Sequence, residues 1–109
     1  MKERRDVFFA IADENRRAIL EKLALEKESL SVGTIANNFN VSRNAISKHI
    51  IVLKESGLVT TEFLGRENMV SLDAQKLAEV YQWISIFEYF WQGRLSKLKQ
   101  LVESKNKKK

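Results

Sequence analysis

Between Ser31 and Gly57 the chain carries two short amphipathic segments joined by almost nothing, and that junction constrains the fold more than any other feature. Ser31 is placed to cap a helix over about 32–38, with Ile35, Ala36 and Phe39 turned inward. Asn40 interrupts it, because asparagine tolerates the left-handed backbone that a tight turn asks for. Ser42 caps a second helix over about 43–56, whose inner face is Ala45, Ile46, Ile50 and Leu53. Gly57 ends that helix as a left-handed cap. Ala36 is small enough to let two helices cross closely, and Val41 plugs into the core just after the turn. Two helices joined this tightly make a helix–turn–helix.

The residues left outward at the start of the second helix are Ser42, Arg43, Asn44, Ser47 and Lys48. That is the face a recognition helix lays in the major groove of duplex DNA. Arginine can donate two hydrogen bonds to guanine, asparagine can pair with adenine, and serine suits either. Lysine and the helix N-terminus can hold phosphate. A plain solvated helix pair shows polar residues outward as well, so charge has to separate the two readings. From Ser29 to Lys54 there is no Asp or Glu, while Arg43, Lys48 and Lys54 are present. The chain's acids, spread evenly, would put roughly three in that window; a surface that approaches a polyanion excludes them. The net charge of +5 says less, because the last six residues supply four lysines. Such a tail reads as solvated and disordered.

The rest of the chain frames this pair. Val7, Phe8, Ile11 and Ala12 predict a first helix over about 3–12. Asp13 reads as the N-cap of a second, with Ala18, Ile19, Leu20, Leu23 and Leu25 inward. Beyond Gly57, Leu58–Leu64 and Met69–Leu72 read as strands around the turn Gly65-Arg66-Glu67-Asn68. A hairpin in that place is a wing that can reach the adjacent minor groove, with Arg66 at its tip on the groove or on phosphate. Glu62 and Glu67 keep the expected contribution modest. From Ala74 to about Lys105 the sequence reads as one long helix. Leu77, Val80, Ile84, Phe87, Trp91, Leu98 and Leu101 repeat along it at heptad spacing, broken only at Arg94. Trp83, Phe90 and Val102 widen this stripe to about 180°, whereas packing on one small domain needs about 100°. Six of the ten aromatics fall between Tyr81 and Trp91, a density typical of interface cores. The economical reading is a homodimer sharing this helix, which sets two recognition helices about one DNA turn (~34 Å) apart. The alternative use of the same residues is a pocket for an apolar effector.

The expected fold is therefore mainly α with a small β-hairpin (α+β): one winged helix-turn-helix domain over 1–103. Its dimerisation helix spans about 74–103, and a basic disordered tail follows over 104–109. With no cysteine and one histidine, thiolate chemistry, disulfides and any site needing two imidazoles are excluded. No cofactor or metal is expected. No nucleophile set, phosphate loop or carboxylate pair points to an enzyme. No apolar run reaches the ~18 residues of a membrane span. The start Met1–Arg5 lacks a signal's apolar stretch, so the expected location is cytoplasmic.

These residues carry a family resemblance over about 7–73. Ala10-Ile-Ala-Asp-Glu-Asn-Arg-Arg-Ala-Ile-Leu20 resembles the opening motif of ArsR-type winged-helix repressors, where Ala-Asp-Pro-Thr-Arg-Arg-x-Ile-Leu is typical. Leu30–Ala36 is similar to that family's third helix, 41–59 to its recognition helix and wing entry, and Gly65-Arg66 with Val70–Leu72 to its wing. The segment Phe90–Leu98 resembles the terminal helix of a metal-free group, Phe-Trp-x-x-Arg-Leu-x-x-Leu. The resemblance implies a homodimeric repressor on a palindromic DNA operator, with Thr34 and His49 joining the DNA-binding candidates. His49, alone on its helix, suits packing or a backbone contact better than metal ligation. Metal-sensing members carry Cys-Val-Cys where this chain has Ser31 and Gly33, so it resembles a metal-independent branch. The alternatives are a MarR- or PadR-like regulator sensing an apolar organic ligand, and a winged-helix module that binds protein. The last would need an apolar or acidic outer face on helix 43–56, which is absent.

Overall fold

The computed structural model describes residues 6–92 and 99–103. Helix α1 (Val7–Ala10) is capped by Asp6, whose carboxylate accepts from the Phe9 amide at 3.0 Å. It is shorter than the periodicity predicts, and it buries Val7 and Ala10 while Phe8 and Ala12 face outward. Its last carbonyls, Phe9 and Ala10, accept from the Arg16 guanidinium. Helix α2 (Glu14–Glu26) starts at the expected cap, Asp13, which accepts from the Arg16 amide at 3.0 Å. Its inner stripe is Ile19, Leu20 and Leu23. Leu25 is exposed, contrary to expectation; it stands about 200° round the helix from Leu23 at 100° per residue.

Helices α3 (Val32–Asn37) and α4 (Arg43–Glu55) follow, capped by Ser31 and Ser42 as their sequences predict. Asn40 departs from expectation. Lys27, Gly57 and Gly65 are the only described residues with positive φ, so the turn closes without a left-handed asparagine. Gly57 (φ +79°) follows the α4 C-cap Ser56. The Gly57 amide donates to the Lys54 carbonyl and the Leu58 amide to Leu53 at 2.9 Å, the paired bonds of a Schellman motif.

Strands β2 (Val59–Leu64) and β3 (Glu67–Leu72) pair antiparallel with Leu64 opposite Glu67. The hairpin loop is thus the two residues Gly65-Arg66, not four. Gly65 takes the positive φ at the first central position, which a tight hairpin turn requires. A third strand that the sequence does not signal, β1 (Leu30–Ser31), pairs with β3 through Leu30–Val70 and Ser31–Met69. Two residues are too few to show alternation. The sheet order is β1-β3-β2. The core lies between this sheet and the helices, with Ile19, Ile35, Ile46, Leu53, Leu58 and Val70 fully enclosed.

The single long helix expected over 74–103 is not what the described residues form. A 3-10 turn (Ala74–Lys76) leads into α5 (Leu77–Ser85), and a break at Ile86–Phe87 separates it from α6 (Glu88–Trp91). At the break the Ser85 hydroxyl donates to the Gln82 carbonyl at 2.7 Å. The Ile86 and Phe87 amides turn instead to Trp83 and Ile84, three residues back. Leu98 and the 104–109 tail lie outside the described residues.

Candidate nucleic-acid interface

Helix α4 exists because Ser42 satisfies its first turn and Ile46, Ile50 and Leu53 anchor its inner side. At 100° per residue, Asn44 and Lys48 point directly away from that buried stripe. Thr34, Ser42, Arg43, Asn44 and Lys48 are exposed, and Ser47 is half-buried. The Arg43 guanidinium leans back over the start of α3: a methyl added at Gly33 would stand 3.6 Å from its Nη1. Arg43 therefore has to swing outward to reach a base. Ser42 spends its oxygen on the helix cap, accepting from Ala45 at 3.1 Å. The Thr34 hydroxyl accepts from Ser31 at 2.9 Å.

His49 stands apart from this set, on the flank of α4 that faces α2. Its Nδ1 lies 3.4 Å from Arg16 Nη1, and its Nε2 lies 3.9 Å from the Asp13 carboxylate. Burial pulls the Asp13 carboxyl upward, but the Arg16 amide, His49 and the Arg16 guanidinium outweigh it and hold Asp13 below its ordinary value. Arg16 is a residue whose role sequence reasoning missed. Its Nε donates to the Ala10 carbonyl at 2.8 Å and its Nη2 to Phe9 at 3.1 Å, with the guanidinium 5.2 Å from the Phe9 ring centre. Arg17 donates to the Ile11 carbonyl at 2.7 Å. The two arginines fasten the end of α1 to α2, and Arg16 adds α4. The available signal was an arginine pair closely following a helix cap.

The hairpin register sorts the wing by face. Directly opposed residues share a side, so Thr61, Val70, Phe63 and Asn68 lie on the side that carries the core residue Val70, with Phe63 exposed near the hairpin tip. Glu62, Met69, Leu64 and Glu67 share the other side. The wing's acids thus point away from α4. Arg66 is exposed at the tip beside Gly65.

Helices α5 and α6 bury nothing completely. Leu77 and Val80 pack partly on the domain's own core, and Phe8 meets Trp83 edge-on at 5.9 Å. Trp83, Phe87 and Trp91 continue that row of rings at 5.2 and 6.3 Å. The predicted stripe Leu77, Val80, Ile84, Phe87 and Trp91 keeps the less exposed side across the break after Ser85, whereas Phe90, expected to widen it, does not. Tyr81, Ile86, Tyr89 and Phe90 are more exposed than Ile84 and Trp91, and Phe87 is half-buried. Leu101 is exposed.

No three His, Asp or Glu come together as metal ligands, and no helix is long and apolar enough to cross a membrane, among the described residues. Comparison with known proteins adds four findings. A helix-turn-helix domain family matches residues 11–62. The chain is 38% identical over 95 residues to the HTH-type transcriptional regulator Rv2034 of Mycobacterium tuberculosis, covering 87% of this chain and 84% of that one. It is 33% identical to the transcriptional repressor SdpR of Bacillus subtilis, over 75% of this chain and 89% of the relative. Among solved structures it is similar to an ArsR-like transcriptional regulator from Rhodococcus sp. RHA1, with TM-score 0.63, 33% identity and 87% and 88% of the two chains covered.

Proposed function

The chain belongs to the ArsR-type winged helix-turn-helix family of DNA-binding transcriptional regulators, and from that premise we propose that it is a homodimeric repressor of a palindromic operator. The observation that carries the reading is the N-terminal half of α4. There Arg43, Asn44 and Lys48 stand exposed in a stretch without a single carboxylate. Arg43 and Asn44 read base edges; Lys48 holds phosphate; Arg66 reaches toward the minor groove. His49 acts through position, by docking α4 on α2. The repressor named among the relatives supports the direction of regulation.

The uncovered aromatic side of α5 and α6 supports the dimer. Exposed rings at this density are costly in water and are stabilised by a partner. A chain with one imidazole and no thiol has no ordinary ligand set for a transition metal, so the switch does not run through metal. A second reading, response to an apolar organic effector, draws on a cleft of about 130 Å³ lined by Tyr81, Ile84, Ser85, Glu88 and Trp91.

Selection from a random duplex pool, followed by fluorescence anisotropy across a salt series, tests the proposal. The expected result is a dyad with half-sites about one turn apart, bound at least ~10³-fold tighter than random DNA. Equal affinity for selected and random duplex would refute the sequence-specific reading.

A further inference from the structure

A cleft of about 170 Å³ lies between α4 and the inner face of the wing. Ser47, Ile51 and Lys54 wall it on the helix side, Thr61 and Asn68 on the wing side, and Val32 contributes to its floor. Lys54 is the one charged residue lining it, and no acid does. The wing's acids, Glu62 and Glu67, sit on the opposite face of the hairpin. Asn68 Oδ1 is buried there without a hydrogen-bond partner among the described residues. With Oδ1 turned inward, Nδ2 is the amide atom left to donate to an acceptor in the cleft.

A cation, two hydroxyls and an idle amide beside an apolar floor match one kind of occupant closely. A sugar–phosphate unit offers an anionic diester next to the apolar face of a deoxyribose. Position agrees with chemistry. With α4 in a major groove and the wing directed at the neighbouring minor groove, the DNA strand between the grooves crosses between helix and hairpin. We propose that this cleft seats one sugar–phosphate unit of that strand. Lys54, Ser47, Thr61 and Asn68 hold the phosphate, and Ile51 packs on the sugar. The assignment rests on the DNA-binding reading of α4 and the wing, and it moves Ser47 from base reading to phosphate holding.

The test uses the full chain, the selected duplex and a random duplex. Lys54→Gln is expected to weaken both by the same factor, about 5–10-fold near 0.1 M salt, and to lower the slope of log affinity against log salt by about one. The preferred sequence and the thermal midpoint stay unchanged. Thr61→Val, which keeps the side-chain shape, is expected to weaken both duplexes by a smaller common factor. Replacing single phosphates of the selected duplex by neutral methylphosphonate then locates the contact. One position weakens the wild type but has no further effect on Lys54→Gln. The proposal is overturned if Lys54→Gln leaves affinity and slope unchanged while the wild type still selects its duplex. Losses that add at every phosphate overturn it too. A wild type that binds neither duplex refutes the DNA-binding reading itself, and this assignment with it.

Discussion

Arg16 shows how much one side chain can decide in a small domain. It donates to two carbonyls at the end of α1, lies over Phe9 and touches His49 on α4. Hydrogen bonds from a charged donor are worth about 1.5–3 kcal/mol each; the Phe9 carbonyl also accepts from the Ala12 amide at 3.2 Å, so the bond to Ala10 at the helix end carries most of the loss. Arg16→Ala should therefore destabilise the fold by about 2–3 kcal/mol, read from the urea midpoint. Asp13 makes a pH prediction. Its carboxyl is held below the ordinary value in the folded chain, so the stability it adds is present above its unfolded value and lost as pH falls through the folded one. Comparing Asp13→Asn with wild type, the deficit should be full near pH 6 and shrink below about pH 4. Arg43→Ala and Asn44→Ala belong to the same scale. Each should cost about 1–3 kcal/mol on the selected duplex and little on random DNA, measured by anisotropy. Equal losses on both duplexes would remove the base-reading role.

At the scale of elements, caps were the legible part. Asp13, Ser31, Ser42 and Gly57 all sit where their side chains, or the lack of one, predict. A cap is decided within four residues of chain, so local sequence contains the whole cause. Gly57 carries the sharpest consequence. Its φ of +79° disfavours any side chain, while the nearest obstacle to a methyl is the movable Lys76 side chain at 3.2 Å. Gly57→Ala should cost about 1–2 kcal/mol through backbone strain, seen as a lower thermal midpoint. The elements that sequence misjudged have other causes. Strand β1 is a strand only because β3 lies beside Leu30 and Ser31. The terminal helix changes at Ile86 and Phe87 to bonds three residues back, and apolar periodicity is blind to that change.

The molecule as a whole is a domain with one side unfinished. Leu77 and Val80 close its core, and beyond them the Tyr81, Tyr89 and Phe90 rings of α5 and α6 stand largely uncovered among the described residues. A second copy meeting these rings would bring two α4 helices into one DNA-binding unit. Trp91→Ala should accordingly weaken self-association in sedimentation equilibrium, and lower affinity for a dyad more than for a single half-site. A variant that remains dimeric at nanomolar concentration would show that the rings serve something else.

The order of the first four helices, the presence of a tight turn and of a hairpin, and the exposed residues at the start of α4 were determined by sequence alone, although Asn40 is not left-handed and the hairpin loop is two residues, not four. Each follows from caps, spacing and turn chemistry acting over a few residues. Three things were decided only in three dimensions. Register, fixed by the length of the hairpin loop, put Glu62 and Glu67 on the face of the wing away from α4, which composition cannot reveal. Packing turned His49 toward Asp13 and Arg16, although it shares a helix with the groove-facing residues. The approach of the hairpin to α4 created the Lys54 cleft from residues separated along the chain. For His49 and the cleft the energy comes from contacts between distant segments, and no local pattern encodes it.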